Sequence, residues 1–260
     1  MKKAIYSQVT INEAFVPTFS PILTDKKSGK GSKVTLVANT RRAAIRVSEI
    51  LGRGRRLSQA MQWRLIEENF PIGSLMNSDT HIFDGSLFEN HEENCCFMMV
   101  ALPKTVVEPI AELGLKRHKT ANRLTRLDVL EHLLFRHYTK ILNTATSKSS
   151  KLADDSSKLV NMSSPLWVIF SQDAGHRLLL LDNGLPISTH YLSEYHDTQM
   201  MEAELVWGKE APRRVVFVTP DFGEAVFESG KKTAPEPPMW LCDFIRDKGE
   251  VEIESEVIQI

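Results

Sequence analysis

The sequence predicts an α/β protein in which mixed sheets are flanked by helices, arranged as two lobes. Three observations favour this class. Apolar runs of strand length occur in both halves of the chain, at 95–102 and 166–170. In the second half, Asn183-Gly184 joins two apolar runs, which is typical of a β-hairpin. Between the halves, residues 123–142 carry leucines at helical spacing.

The composition is ordinary for a globular protein. Charged residues make up 25% and apolar residues 42% of the 260 residues, enough for one large core or two modest ones. Lys+Arg number 32 and Asp+Glu 33, a balance that gives no overall attraction to nucleic acid or anionic membrane. No apolar run is as long as a membrane span, and three cysteines, two of them adjacent, favour a reducing compartment. We therefore expect a cytoplasmic protein without a span of its own.

The stretch from Ser164 to Leu192 predicts a three-stranded meander. Its strands are expected at 166–170, 176–181 and 186–190, with a loop at 171–175 and a type I′ turn at Asn183-Gly184. A sheet of this size needs cover on both faces. We therefore expect Leu179 and Leu180, which point to opposite faces, both to be buried.

The first half of the chain predicts strands and helices in alternation. Residues 33–47 alternate like a strand, and 57–70 have helical spacing with Ser58 as a cap and Pro71 as a stop. Residues 81–85 predict a short strand and turn, and 95–102 a buried strand. Pro103 is expected in the first turn of a helix that Gly114 ends. Residues 123–142 are expected to form one long helix.

These patterns divide the chain into five segments. Residues 1–33 are expected to be irregular, 34–142 to form the first lobe, and 143–163, rich in Ser, Lys and Asp, to be a flexible linker or loop. The second lobe is expected at 164–232 around the hairpin. Residues 233–260 predict a Pro-rich spacer, a helical turn and an edge strand.

Several of these segments resemble one family. The helix motif RRLSQAMQW at 55–63, the unit that runs from VALPK at 100–104 to Gly114-Leu115, the pattern at 124–138 and the hairpin at 164–192 stand in the family's order. The family is that of the PilM/GspL-type actin-like assembly proteins of type IV pili and type II secretion systems. The resemblance covers about residues 34–220 and implies a two-lobed actin-like (ribonuclease H-like) fold.

The resemblance also implies where a nucleotide would bind. In nucleotide-binding members, an Asp-x-Gly turn after the first strand of the second lobe holds the metal-bound phosphates. Here that turn reads Phe170-Ser171-Gln172-Asp173, so only Ser171, Asp173 and Gly175 are weak candidates. Residues 1–33 lack the N-terminal Asp-x-Gly, and TPDFG at 219–223 replaces the Gly-rich nucleotide loop. The resemblance therefore implies a degenerate site, with no catalytic residue, metal or cofactor, and with Mg-ATP as the alternative.

Other chemical motifs are weak. GKGS at 29–32 lacks the spacing of a phosphate-binding P-loop. Cys95 and Cys96 with His91 do not have zinc-site spacing, because adjacent strand residues point to opposite faces. Asp173 and His176 lack a nucleophile in an elbow motif. The basic clusters at 41–56 and 116–119 carry no aromatic interleaving, so we expect no nucleic-acid partner.

Three hypotheses remain. The first is a non-enzymatic scaffold of a pilus or secretion machine. Its partner, implied by the resemblance, is the cytoplasmic segment of an inner-membrane assembly protein docked in a groove between lobes, together with other components of the machine. Such a scaffold would be cytoplasmic and recruited to the inner-membrane face. The second is an ATP-binding protein of the same machinery. The third is a nucleic-acid-associated protein of ribonuclease H-like fold without its catalytic carboxylates.

Overall fold

The structure is a computed structural model. It describes residues 5–11, 17–19, 33–50, 57–70, 76–90, 92–117, 123–149, 165–172, 175–209, 211–221, 234, 236–246, 248–249 and 251–259. The elements of the first half are β1 (Ile5–Ile11), β2 (Pro17–Phe19), β3 (Lys33–Asn39), β4 (Ala44–Ile50), α1 (Gln59–Asn69), β5 (His81–Glu89), β6 (Cys95–Pro103), α2 (Lys104–Arg117), β7 (Arg123–Val129) and α3 (Leu130–Ser149). Those of the second half are β8 (Leu166–Gln172), β9 (Gly175–Asp182), β10 (Leu185–Ser193), α4 (His196–Trp207), β11 (Arg214–Asp221), α5 (Met239–Arg246) and β12 (Glu252–Gln259).

The strands form three sheets. The N-terminal sheet has the order β2-β1-β3-β7, with β3 parallel to both of its neighbours. The insertion sheet, β4-β6-β5, is antiparallel and lies in the chain between β3 and β7. The C-terminal sheet has the order β10-β9-β8-β11-β12, in which an antiparallel meander continues into two parallel strands.

The meander forms as the sequence predicts. Asn183 and Gly184 have φ values of 46° and 76°, the left-handed values that a type I′ turn needs at both positions. The ladder starts directly at the turn, with Leu185 opposite Asp182. The predicted strand at 186–190 is therefore part of β10, and the Asn-Gly pair fixes its register.

The two faces of the C-terminal sheet bury different clusters. Leu178 and Leu180 face α4 and α5, where Trp167, Ala203 and Phe244 belong to the same cluster. Leu179 and Leu181 face the other side, in a cluster with residues of the N-terminal and insertion sheets. Leu179 and Leu180 are 0% and 1% exposed. The expectation that both are buried on opposite faces is confirmed.

Helix α3 lies at the centre of the larger cluster. Its buried side chains Leu130, Leu134, Phe135, Tyr138 and Leu142 share that cluster with the N-terminal, insertion and C-terminal sheets. An amphipathic helix with a wide apolar face can fill such a position because its leucines recur every three to four residues. A single helix thus joins the apolar surfaces of all three sheets.

Several predictions for the first half are corrected. Residues 1–33, expected to be irregular, contain β1 and β2, and β1 pairs with β3. The strand expected at 33–47 is two strands in different sheets, separated by a turn at 40–43. The strand at 81–85 extends to Glu89, because every residue of β5 pairs with β6.

The helices differ from the prediction at their ends. The helix expected at 123–142 starts at Leu130, because residues 123–129 pair with β3 as strand β7. It continues to Ser149, into the segment expected to be a linker; residues 150–163 lie outside the described residues. Gly114 does not end its helix, since α2 continues to Arg117, and Pro103 is the last residue of β6.

The second sheet also exceeds its predicted segment. Strand β12, expected in a separate C-terminal segment at 233–260, pairs in parallel with β11 over eight residues. Helix α5 packs in the same apolar cluster as β8 and β9. The edge strand is confirmed, whereas the boundary at 232 divides a single layer of the structure.

Candidate functional site

A buried polar cluster lies where the N-terminal and C-terminal sheets meet. Asn39 ends β3, Glu131 stands in the first turn of α3, and Gln172 and Arg177 lie on β8 and β9. Their exposed fractions are 6%, 0%, 1% and 5%. We call these four residues the junction cluster. Buried polar side chains must find partners within the protein, because they lose those of water.

Hydrogen bonds connect the junction cluster across four elements. Arg177 Nε donates to Glu131 Oε1 at 3.0 Å, and Gln172 Nε2 contacts Glu131 Oε1 and Asn39 Oδ1, each at 3.1 Å. Arg177 also donates to the Ala43 carbonyl at 3.1 Å. The guanidinium and the carboxylate therefore neutralise each other inside the junction, and the two sheets are connected by side chains of the chain itself.

The junction cluster adjoins the turn that the sequence proposed for phosphates. Ser171 is exposed, and its carbonyl accepts a hydrogen bond of 3.5 Å from Asn39 Nδ2. Asp173 lies outside the described residues. Gly175 pairs with Ser193 of β10, and a Cβ on it would stand 2.2 Å from the Leu192 carbonyl oxygen and 2.8 Å from Tyr191 Oη. Glycine is required there by the close approach of β10.

The cysteines and histidines considered as metal or catalytic residues lie in the following environments. Cys95 and Cys96 lie on strand β6 and are buried, and burial above all raises the pKa of the Cys96 thiol to about 12, which disfavours the thiolate that a metal needs. His91 lies outside the described residues. His176 Nδ1 lies 2.8 Å from Gln199 Nε2 and packs against Trp240. In the part of the chain that the structure describes, no three His, Cys, Asp or Glu side chains cluster as metal ligands.

A groove lies between strand β5 and helix α3. It has a volume of about 640 Å³ and is lined by Ser86, Leu87, Phe88 and Glu89 of the strand and by His132, Arg136, Thr139, Lys140, Asn143 and Thr144 of the helix. We call it the α3 groove. At one end Asn143 Nδ2 donates to the Glu89 carbonyl at 3.0 Å, which connects the two walls.

A smaller apolar cavity continues from the α3 groove. It has a volume of about 160 Å³ and lies between the insertion sheet, α2 and β7, where Met98, Val100, Leu102, Val107 and Leu127 line it. Ser86 and His132 line both the groove and the cavity. The two spaces therefore meet at these residues, one polar at its walls and the other apolar.

His132 has a fixed orientation at this meeting point. Its Nδ1 lies 2.8 Å from Asp128 Oδ1, and the edge of the Phe88 ring packs against the imidazole. Asp128 Oδ1 also accepts the Val129 amide hydrogen at 2.9 Å. With Nδ1 engaged by the carboxylate, the Nε2 side of the ring remains for a group in the groove.

The charged side chains of the groove wall are two basic residues and one acidic residue. Arg136 and Lys140 are exposed one helical turn apart on α3, and Glu89 is the carboxylate among the lining residues. Thr139, between them, is 7% exposed, and its hydroxyl has no hydrogen-bond partner within the described residues. The arrangement suits a ligand with apolar, polar and acidic groups more than a small apolar molecule.

A solved structure decides the fold. A Bacteroides thetaiotaomicron protein described as having an actin-like ATPase fold and unknown function superposes with a TM-score of 0.50 at 8% identity, over 99% of this chain and 91% of that one. The fold is actin-like. The fold class predicted from the sequence is confirmed.

Two further solved structures are similar to this actin-like chain. One is described as a PilM–PilN type IV pilus biogenesis complex, with a TM-score of 0.47, 12% identity and coverage of 87% of this chain and 69% of that one. The other is the cytoplasmic domain of EpsL, an inner-membrane component of the Vibrio cholerae type II secretion system, with a TM-score of 0.42, 7% identity and coverage of 94% of each chain. No protein-family model and no curated protein matches the sequence.

Sequence reasoning missed most of this site. The junction cluster is made of single polar residues inside apolar or strand-like runs, and their proximity depends on the packing of four elements. One signal was present for the groove: Asp128, at the end of β7, and His132, at the start of α3, are only four residues apart in the sequence. Among the described residues, no helix is long and apolar enough to cross a membrane.

Proposed function

We propose that this chain is a non-enzymatic cytoplasmic scaffold of a type IV pilus or type II secretion-like assembly, recruited to the inner-membrane face. Its α3 groove binds an extended segment from the cytoplasmic part of an inner-membrane protein. The observation that carries this proposal is the difference between the junction cluster and the α3 groove. At the junction between the sheets Glu131 is paired with Arg177, whereas a groove of about 640 Å³ is open beside α3.

Strand β5 supports an extended conformation for the bound segment. Within the described residues β5 pairs only with β6, and its residues 86–89 line the groove. Backbone N–H and C=O groups at a free strand edge can pair with an added strand, which provides affinity along the main chain. Specificity then comes from the side chains of the segment that enter pockets on one face.

The surroundings of the groove indicate the side chains of the partner. The apolar cavity behind Ser86 and His132 has room for an apolar anchor, as hot spots of such interfaces require. Arg136 and Lys140 favour a carboxylate on the partner segment, because rim charges select partners of opposite sign. The class of partner itself comes from the sequence resemblance described above.

The test uses synthetic peptides that tile the cytoplasmic segments of inner-membrane proteins encoded next to this chain's gene. Binding is measured by fluorescence anisotropy. Ser86→Trp places a bulky side chain at a residue that lines both the groove and the cavity. We expect this variant to lower the affinity for the bound peptide by about tenfold or more. Changing both Arg136 and Lys140 to Glu should lower the affinity for an acidic peptide. The loss should be larger at low salt than at high salt, because salt screens the repulsion.

Arg64→Glu is the matched control. Arg64 is exposed on α1, outside the groove, where it pairs with Glu68 at 2.8 Å. We expect peptide affinity to be unchanged in this variant. If no peptide binds, or if the peptide binds equally well to the Ser86 and Arg136/Lys140 variants, the proposed role of the groove is wrong.

A further inference from the structure

Strand β10 differs from the other outer strands of the three sheets. Its sequence, LPISTHYLS, contains no Asp, Glu, Lys or Arg over nine residues. The other outer strands of the described sheets are protected. Strand β2 has only three residues and starts with proline. The remaining outer strands carry charged residues: Arg46 and Glu49 in β4, Asp84 and Glu89 in β5, Arg123, Arg126 and Asp128 in β7, and Glu252, Glu254 and Glu256 in β12. Charge, proline and shortness are the usual protection of a sheet edge against pairing with another chain.

The protection of β10 is limited to its two ends. Pro186 lies at the second position, and the register shift between Pro186 and Ser188 follows it. From Ser188 to Ser193 the ladder with β9 is regular. Strand β4 comes close to β10, yet within the described residues β10 pairs only with β9. From Ser188 to Leu192, β10 is thus an edge strand without charge or proline, and at its end the Ser193 amide donates to Glu202 Oε2 at 2.7 Å.

An apolar stripe lies beside this edge on helix α4. Met201 and Leu205 are one helical turn apart and are 60% and 65% exposed, and Tyr195, which precedes the helix, is 70% exposed. Between β10 and α4 lies a cavity of about 440 Å³, lined by Ser188, His190, Tyr191 and Leu192 of the strand and by Glu202, Leu205, Val206 and Lys209. Exposed apolar groups gathered at an open edge are typical of an interaction surface.

The charges around Leu205 are self-complementary. Glu202 precedes Leu205 by three residues, and Lys209 follows it by four, and both line the cavity. If two copies of α4 pack antiparallel about a two-fold axis at Leu205, Glu202 of each copy faces Lys209 of the other. The two leucines then meet at the axis, with the methionines beside them. Such an isologous contact uses one patch of each subunit twice.

From these observations we infer that the surface formed by residues 188–193 of β10 and the Met201–Leu205 stripe of α4 binds a second copy of this chain. The two-fold axis runs perpendicular to the C-terminal sheet. It places the β10 edges of both copies side by side in antiparallel orientation, which joins the two sheets, and it brings the two α4 helices together on one face. A second copy suits this patch because the two charged residues that line the cavity, Glu202 and Lys209, have opposite signs and each can pair with the other residue on the partner.

Sedimentation equilibrium of the full chain tests this inference. We expect a dimer, and Leu205→Glu should raise the dissociation constant by about thirtyfold or more, because it places two carboxylates at the axis. Met239→Glu is the control, since Met239 is an exposed apolar residue of α5, 80% exposed, outside this surface. It should leave the dimer unchanged. A monomer over the whole concentration range, or a dimer that tolerates Leu205→Glu, would overturn the inference.

A charge exchange distinguishes this symmetric pairing from other dimers. Lys209→Glu alone should weaken association, and adding Glu202→Lys should restore it, because the cross-subunit pair is re-formed with its signs exchanged. Glu202 also accepts the Ser193 amide hydrogen at 2.7 Å, so thermal melts of both variants check that the fold is kept. If melts show a folded double variant whose association is no stronger than that of Lys209→Glu, the two-fold arrangement is wrong.

Cross-linking provides an independent readout. Leu205→Cys places two thiols at the proposed axis, and mild oxidation should produce a covalent dimer that reducing agent reverses. Met239→Cys should not cross-link under the same conditions. The α3 groove is lined by other residues, so peptide binding and dimer formation can fail separately.

Discussion

Arg177 and Glu131 form an ion pair whose side chains are 7% and 0% exposed, at the junction between the two larger sheets. Removing one member of a buried pair leaves an uncompensated charge, which costs far more than the pair itself contributes. We therefore expect Arg177→Ala to lower the free energy of unfolding by about 3–5 kcal/mol. Chemical denaturation at neutral pH measures this change.

The double variant Glu131→Leu/Arg177→Met is the control for that prediction. It removes both charges and keeps apolar volume, so it should recover much of the stability that Arg177→Ala loses. A double variant as unstable as the single one would show that the hydrogen bonds to Gln172 and Ala43, and not the charges, hold the junction together.

The protonation of His176 makes the stability of the fold depend on pH. Burial lowers its pKa below the ordinary value of 6.5, and Gln199 Nε2 contacts its Nδ1 at 2.8 Å. The unfolded chain therefore binds the proton more tightly than the folded one, so the stability from this group is present above pH 6.5 and decreases as the pH falls below that value.

Two measurements check the His176 prediction. The imidazole should titrate below 6.5 by NMR, and the denaturation midpoint should fall between neutral and mildly acidic pH. Burial is also the first cause that lowers the pKa values of His81, His137 and His190, so all four groups act in the same direction. A titration of His176 above its ordinary value would contradict the burial described for it.

At the scale of elements, the C-terminal sheet is the best-specified part of the chain. Leu180→Ala and Leu179→Ala should each destabilise the protein by about 2–5 kcal/mol, because both leucines are buried on opposite faces of β9. Thermal or chemical denaturation tests both. Ile187→Ala, at a position of β10 that is 38% exposed, is the control and should have a smaller effect. Unchanged midpoints for both leucine variants would contradict the placement of β9.

The elements that the sequence predicted correctly carry local signals. Asn183-Gly184 determines the hairpin because few residues adopt left-handed φ, and Ser58 caps α1 by accepting the Met61 amide hydrogen at 3.3 Å. Strand β7 lacked such a signal. Leu124, Leu127 and Leu130 have helical spacing and run into α3, but pairing with β3 holds residues 123–129 extended. Pairing with a neighbouring strand therefore determined the structure of this segment, in spite of the helical spacing of its leucines.

The candidate site shows the same division between local and non-local information. The resemblance at 164–192 placed Ser171, Asp173 and Gly175 at a phosphate turn, and Gly175 has a steric reason tied to β10 instead. The four residues of the junction cluster are separated by up to 138 positions, from Asn39 to Arg177. Their contact follows from the packing of α3 between sheets, which no single stretch of sequence encodes.

At the scale of the whole molecule, the actin-like fold has a buried ion pair, Glu131–Arg177, at the junction between two of its sheets. In this fold, the resemblance implies that phosphates are held by carboxylate-bearing turns and glycine-rich loops. Here Gln172 is engaged with Glu131 and Asn39, and Pro220 continues strand β11, paired with Ile258 of β12. Proline has no amide hydrogen to offer a phosphate, so we expect weak phosphate binding at this loop. The open space lies instead along α3 and β5.

Calorimetric titration of the chain with Mg-ATP tests the non-enzymatic account most directly. We expect a flat titration and no measurable hydrolysis, because Glu131 is paired with Arg177 and the phosphate turn lacks its Asp-x-Gly. A dissociation constant in the low micromolar range that is lost on Asp173→Ala would contradict the account and favour an ATP-binding protein.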